Sequence, residues 1–305
     1  MTKTPSVWIV VLNWNGLADT LACARCLRQS TYPNLRVMLL DNASANNEAE
    51  ALAADCPDLP LVRSPVNTGA AGGMARLSQL ALEQGTDYVL VLNNDTEHPP
   101  DMIARMVATY EATPGIGLLT VRELTAGHPE RGDRLGARYL PRFCRVQWQF
   151  APHGEPLPHP LAFDVVSGCV HLVSREVAAK VGLLDEEFFI YWEDVDWCLR
   201  ARQAGYQNYC ATDTYIVHKS GATSTPQHGL NLTQLYLGCR GHALLIHRHA
   251  RGLARLLAPL RAAAGIAATM LQAVVRPSLR PAALAKWQGF RDGWLRRPPT
   301  PPRGG

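Results

Sequence analysis

The chain has 305 residues, 47% hydrophobic and 18% charged, enough to bury one large core or two modest ones without disulfides. That composition excludes a disordered, collagen-like or coiled-coil chain. The net charge of +4 is unevenly placed: from Arg240 onward 12 Lys and Arg face one acid, Asp292, leaving 18 basic and 25 acidic residues before it. The first residues carry no apolar run of signal-peptide length. No uncharged apolar stretch reaches the roughly 18 to 20 residues of a spanning helix; the longest, Ala262 to Val275, has 14. The expectation is a cytoplasmic protein that does not cross a membrane. The eight scattered cysteines read as reduced thiols, and Cys23-Ala24-Arg25-Cys26 reads as helix packing because no second CxxC completes a zinc site.

In chain order, Val7–Leu12 is a short apolar strand ending at Asn13, followed by Gly16 and a helix to about Ser30. Arg36–Leu40 is a second buried strand ending at Asp41, Glu48–Ala54 a helix, and Leu61-Val62 a short strand. Gly72–Gln84 is helical, Tyr88–Leu92 is a strand ending at Asn93-Asn94-Asp95, and Pro99–Glu111 is a helix with Pro in its first turn. Fully apolar strands alternating with helices indicate an α/β domain with a mostly parallel sheet covered on both faces. Ligands of such sheets bind at the carboxyl ends of the strands. Asn13, Asp41 and Asn93 to Asp95 stand at that edge. The turn Asn67-Thr-Gly69-Ala-Ala-Gly72-Gly73 opens a helix whose amides suit a phosphate, but it is neither a GxGxxG fingerprint nor a P-loop.

From Thr125 to about Leu161 the pattern breaks into Pro, Gly, His and Arg and reads as one long irregular stretch. Order returns at Val165–Val173, followed by a helix over Ser174–Val181. An aromatic cluster then leads into Trp192-Glu193-Asp194-Val195-Asp196 at a helix start. Helix capping accounts for one of those acids but not for three. Further on, the strand Tyr215–Val217 ends in His218-Lys219. In the tail, Leu253, Leu256, Leu257, Leu260, Ile266, Met270 and Val274 fall at helical spacing among basic residues. A basic amphipathic helix suits an anionic membrane surface better than nucleic acid; a helical subdomain with a solvated basic face is the other reading.

Taken together, these pieces resemble the inverting, nucleotide-sugar-dependent glycosyltransferases of family 2, in the bacterial branch of rhamnosyltransferases and galactofuranosyltransferases. The resemblance covers about residues 6–220. It rests on Val10-Val-Leu-Asn13-Trp-Asn15-Gly16, Asp41-Asn42-Ala43-Ser44, the 67–73 glycine turn, Leu92-Asn93-Asn94-Asp95-Thr96, Ser167-Gly168, Trp192–Asp196, Leu199-Arg200 and His218-Lys219. It implies a GT-A fold of about residues 1–228, a basic helical tail over 229–297 and a disordered end at 298–305. It also implies a donor diphosphate held by Mg²⁺ or Mn²⁺, with the imidazole favouring Mn²⁺. Asp95 matches the last acid of the family's DxD motif, whose first acid is here Asn93; Asp95 and His218 would be the metal ligands. Asp194 would be the base that takes the acceptor hydroxyl's proton, Glu193 and Trp192 would bind the acceptor, and Asp196 would be structural. Exchange of the Glu193 and Asp194 roles stays open.

By the same resemblance Asn13, Asp41, Asn67, Gly69 and Asn94 would line the nucleotide, Asp41 at the pyrimidine base or ribose. Arg240 would face the diphosphate, although Gly241 replaces the family's usual Asn and Met74-Ala75 its Asn-Asn. The Asn-Asn-Asp-Thr form points to dTDP-rhamnose as donor ahead of UDP-linked sugars, with a glycan or lipid-linked acceptor and attachment to the inner face of the cell membrane through the tail. Two alternatives stand beside this. One is a nucleotidyltransferase, which would need a basic Gly-rich loop after the first strand that Asn13-Trp-Asn-Gly16 does not provide. The other is a non-catalytic membrane-binding protein on a degenerate scaffold, which the acids at 95 and 194 oppose.

Overall fold

The computed structural model describes residues 4–219 and 231–300. The first half alternates as the apolar runs dictate: β1 (Val7–Asn13), α1 (Leu17–Leu27), β2 (Leu35–Asp41), α2 (Glu48–Asp55), β3 (Leu61–Arg63), α3 (Gly69–Glu83) and β4 (Tyr88–Asn93). Then follow β5 (Thr96–Glu97), α4 (Met102–Ala112), β6 (Ile116–Thr125), β7 (Asp133–Leu140), β8 (Arg145–Ala151), β9 (Leu161–Phe163) and β10 (Val170–Ser174). The α/β part closes with α5 (Arg175–Val181), α6 (Glu193–Gln203) and β11 (Gln207–His218). Three helices end the described chain: α7 (Leu232–His249), α8 (Ala254–Val275) and α9 (Arg280–Trp294).

One sheet runs in the order β3-β2-β1-β4-β10-β6-β11-β5. The β3-β2-β1-β4 half is parallel, as is the β6–β11 pair, while β10 lies antiparallel between them. Alternation along β1 sets its two faces. Trp8 and Val10 pack with Met74 and Leu77 of α3, whereas Val7, Ile9 and Val11 pack with Leu27 of α1 and Met102 and Ile103 of α4. This is the mostly parallel, doubly covered α/β architecture expected.

Two expectations are corrected. The stretch from Thr125 to Leu161 is not irregular: β7 and β8 form an antiparallel hairpin through it, joined to β6 at Glu123–Arg134. Arg145-Val-Gln-Trp-Gln-Phe alternates with period two, the mark of a half-buried strand, with Val146 and Trp148 turned inward. The second concerns length: α8 is one continuous 22-residue helix, long and apolar enough by length and composition to cross a membrane, because Arg261 interrupts the apolar run without ending the helix. α7 packs into the main core through Leu244, Leu245 and Ile246. The expected domain boundary at 228/229 and the last five residues of the expected disordered end lie outside the described residues.

Candidate active site

Strand pairing brings Asp95 and His218 to one edge of the sheet. The turn after β4 is closed by the Thr96 hydroxyl donating to the Asn93 carbonyl at 2.8 Å. β5 then pairs antiparallel with the end of β11, placing His218 opposite Thr96, and the Lys219 amide donates to the Asp95 carbonyl at 3.0 Å. The buried Asp95 carboxylate and His218 Nε2 consequently lie 3.1 Å apart. Two residues 123 positions apart in the chain have been brought together by two β-bridges.

On the far side of the imidazole lies a residue that no sequence motif singles out. Glu123 of β6 contacts His218 Nδ1 through Oε1 at 2.9 Å. The β6–β11 register sets Glu123 opposite Ile216, two positions from His218 on the same face. The Ser167 hydroxyl donates to Glu123 Oε2 at 2.5 Å, and Arg134 reaches both of its oxygens at 3.3 Å. Burial pushes the Glu123 carboxyl up, but the bond from His218 and the Arg134 charge outweigh it and hold the pKa at about 2. Burial likewise disfavours a charged His218, yet its contacts with the Asp95 and Glu123 carboxylates raise its pKa above the ordinary imidazole value. Cys169 Sγ sits 3.3 Å from Nδ1; burial, with Glu123 nearby, pushes that thiol up to about 11, so it remains a thiol at neutral pH.

The acid pair stands at the N-terminus of α6, which the chain enters through Phe189, Tyr191 and Trp192, all with positive φ. Asp194 accepts from the Gly168 amide at 3.2 Å and from the Val195 amide at 2.8 Å. A Cβ on Gly168 would stand 2.9 Å from the Asp194 Cβ, so this approach requires glycine. Removal from water raises the pKa of both carboxyls; for Glu193 the adjacent Asp194 adds to it, whereas for Asp194 the Val195 and Gly168 amides oppose it. Glu193 Oε2 has no hydrogen-bond partner among the described residues. Asp196, by contrast, is fully buried and bonded to Arg200 at 2.7 Å and His249 at 2.8 Å, the structural role expected of it.

The residues expected at the nucleotide form a second polar cluster at the same sheet edge. Asn13 donates to Asp41 at 3.1 Å, to Ser44 at 3.1 Å and to Glu48 at 2.9 Å. Asn94 donates to Thr20 at 2.8 Å, and Thr20 in turn to Asn13 at 2.7 Å, which ties the ends of β1 and β4 together. Buried Asn42 donates to Asn67 at 3.0 Å, and Asn67 accepts from the Gly69 amide at 2.8 Å. Just inside α3 the Ala71 amide is taken by the Phe189 carbonyl at 3.0 Å. Sequence reasoning misses Thr20, Asn42 and Glu48 as members of this cluster. Asn42 lies inside a motif quoted above, whereas Glu48 is in the sequence only the start of a helix.

Arg240 is a correction. Its side chain is 2% exposed, and its guanidinium donates to the carbonyls of Glu187 at 2.7 Å and Arg297 at 2.7 and 3.1 Å. It brackets the 3-10 turn at Glu186–Phe188 to the end of the chain instead of facing a ligand, because α7 turns it into the core. Trp192, expected at the acceptor, stacks on His242 at 4.8 Å and gives its indole N–H to the Gly238 carbonyl at 3.0 Å.

Comparison with known proteins agrees with this geometry. Residues 7–163 match the Glycosyl transferase family 2 domain. The N-acetylglucosaminyl-diphospho-decaprenol L-rhamnosyltransferase of Mycobacterium tuberculosis is 27% identical over 224 residues, covering 65% of this chain and 71% of that protein. The dTDP-rhamnosyl transferase RfbF of Shigella flexneri is 25% identical over 230 residues, covering 74% and 73%. Among solved structures, GalNAc-T7 with UDP, GalNAc and Mn²⁺ superposes with a TM-score of 0.59 at 13% identity, over 81% of this chain and 48% of that one. With Asp95 and His218 at the sheet edge and the Glu193–Asp194 pair at the start of α6, this domain match over half of the residues settles the family: the chain belongs to glycosyltransferase family 2 and is a glycosyltransferase.

Proposed function

We propose that this enzyme is a metal-dependent, inverting transferase that moves rhamnose from dTDP-rhamnose to a hydroxyl of a glycan or lipid-linked acceptor. The observation that carries the reading is the Asp95–His218 contact, which is connected through Cys169 and Gly168 to the base Asp194. One hard carboxylate oxygen and one imidazole nitrogen facing each other at 3.1 Å suit Mn²⁺ or Mg²⁺, the donor's phosphate oxygens and water completing the shell. The ion, when bound, neutralises charge on the departing diphosphate. Asp95 and His218 would hold it.

Asp194 accepts the acceptor hydroxyl's proton as that oxygen attacks the anomeric carbon. The amides of Gly168 and Val195 fix its carboxylate and favour its charged form. Glu193, whose pKa is raised by burial and by Asp194, has an oxygen without a hydrogen-bond partner among the described residues with which to hold an acceptor hydroxyl. Asn13, Asp41, Asn67, Gly69 and Asn94 line the side on which the nucleotide would lie. The rhamnosyl donor is supported by the names of the two relatives, and Mn²⁺ by its presence in the GalNAc-T7 structure.

We further propose that the enzyme works against an anionic membrane surface. α8 exposes Leu256, Leu260, Leu271, Val274 and Val275. Arg255, Arg261, Arg276 and Arg280 surround this face, and no acid occurs between residues 254 and 291, which fits anionic headgroups over an apolar interior. The transfer reading is tested by incubating the enzyme with dTDP-rhamnose, Mn²⁺ and an N-acetylglucosaminyl-diphospho-prenol. A rhamnoside whose anomeric configuration is opposite to that of the donor supports it. Retention of configuration would remove Asp194 from the role of base in a single displacement.

A further inference from the structure

Glu123 has no task in the transfer chemistry described above, yet it is among the most densely hydrogen-bonded side chains of the site. It is 2% exposed, and a buried carboxylate persists only when paired and hydrogen-bonded. Its partners meet that demand: His218 Nδ1 at 2.9 Å, the Ser167 hydroxyl at 2.5 Å and Arg134 at 3.3 Å. An ionised carboxylate only accepts, so the bond to Nδ1 is donated by the ring. The Nδ1 proton is thereby held on the side away from Asp95, and Nε2 is left facing Asp95.

We propose that Glu123 is a positioning residue for the metal site, a carboxylate that orients His218 so that Nε2 alone is offered to the cation. This rests on the metal reading above. Metal-bound histidines commonly give their second N–H to a carboxylate, which fixes the ring and makes the ligand nitrogen more basic. Here the same arrangement goes one step further. Ser167, which holds Glu123, precedes Gly168, whose amide holds Asp194. His218 and Asp194 are thereby linked through Glu123 and the turn at residues 167–168. Arg134 supplies the charge that keeps Glu123 ionised; its own guanidinium lies over Trp148 at 5.0 Å, which positions it.

The test is electron paramagnetic resonance titration of Mn²⁺ in the presence of dTDP, on the wild-type enzyme, Glu123→Gln and Glu123→Ala, with Asp95→Asn as the metal-site control. The glutamine variant preserves shape and keeps the test informative where alanine does not fold. Expected are Mn²⁺ affinities about 10- to 100-fold weaker in the Glu123 variants at unchanged far-ultraviolet circular dichroism. In Mg²⁺-loaded wild type with ¹⁵N-labelled histidine, His218 Nδ1 should keep its proton and Nε2 lose it; in Glu123→Ala that assignment should blur. Unchanged Mn²⁺ affinity and unchanged nitrogen signals in both variants would overturn the proposal. A thiolate-to-metal charge-transfer band on loading Co²⁺, lost in Cys169→Ser, would overturn it by placing the cation on the Nδ1 side with Glu123, Cys169 and His218 as ligands. Absence of any Mn²⁺ binding in wild type would instead overturn the metal reading and this proposal with it.

Discussion

The Gly168 amide donates to the Asp194 carboxylate across 3.2 Å, tying the turn before β10 to the helix that carries the acids. Gly168→Ala tests that joint. The new Cβ would meet the Asp194 Cβ at 2.9 Å, so Asp194 must shift. A displacement near 1 Å costs about 10²-fold in rate; kcat should fall by that order while dTDP binding, measured by calorimetry, stays unchanged.

Asp194→Asn removes the proton acceptor and keeps the shape. Transfer should fall by about 10²- to 10⁴-fold with donor affinity nearly intact. Equal loss of both would take Asp194 out of the role of base.

The two acids give the rate a bell-shaped pH dependence. Burial raises the Asp194 pKa against the stabilising amides and the Arg134 charge, so activity rises as pH passes upward through that raised value. Burial and Asp194 raise Glu193 to about 8. Above that, Glu193 ionises, can no longer donate to the acceptor, and the rate declines. Glu193→Gln should abolish the alkaline decline and leave the acid limb, in kcat/KM measured across pH.

Asp196 governs stability. Burial pushes its carboxyl up, but His249 and Arg200 outweigh that and lower it from 3.8. A lowered native pKa means the stabilisation is fully present above the unfolded value and is lost as pH falls through the native one. Asp196→Ala leaves Arg200 and His249 without their shared carboxylate and should cost about 3–5 kcal/mol in urea unfolding at neutral pH. The difference from wild type should shrink in acid.

Replacing Leu256, Leu260, Leu271 and Val274 by Ser should weaken sedimentation with phosphatidylglycerol vesicles without altering soluble-donor binding. Added salt should weaken the wild type as well, since the Arg residues around α8 act through a screened field. Retention of full vesicle binding by the substituted enzyme would remove α8 from the contact.

Much of this site was legible because its residues end apolar strands. Asn13, Asp41 and Asp95 are polar full stops after or just beyond runs such as Tyr88–Leu92, and parallel pairing of those strands puts their ends on one edge. Glu123 was not legible: it sits inside β6, and only the β6–β11 register shows that it backs His218. The β7–β8 hairpin was hidden by its charged outward residues, Arg138 and Arg145 among them. Arg240 misled because a family position carries no direction; α7 faces it inward. Gly241, which departs from the family's Asn, has a packing reason: a Cβ there would stand 2.4 Å from the Tyr191 carbonyl.

The central claim is that Asp95 and His218 together hold the cation that binds the donor. Calorimetry of dTDP-rhamnose binding with and without Mn²⁺, on wild type, Asp95→Asn and His218→Ala, tests it most directly. Binding should depend on Mn²⁺ in the wild type and be lost in both variants. Equal donor binding without the metal, or in either variant with it, would remove Asp95 and His218 from the role of metal ligands.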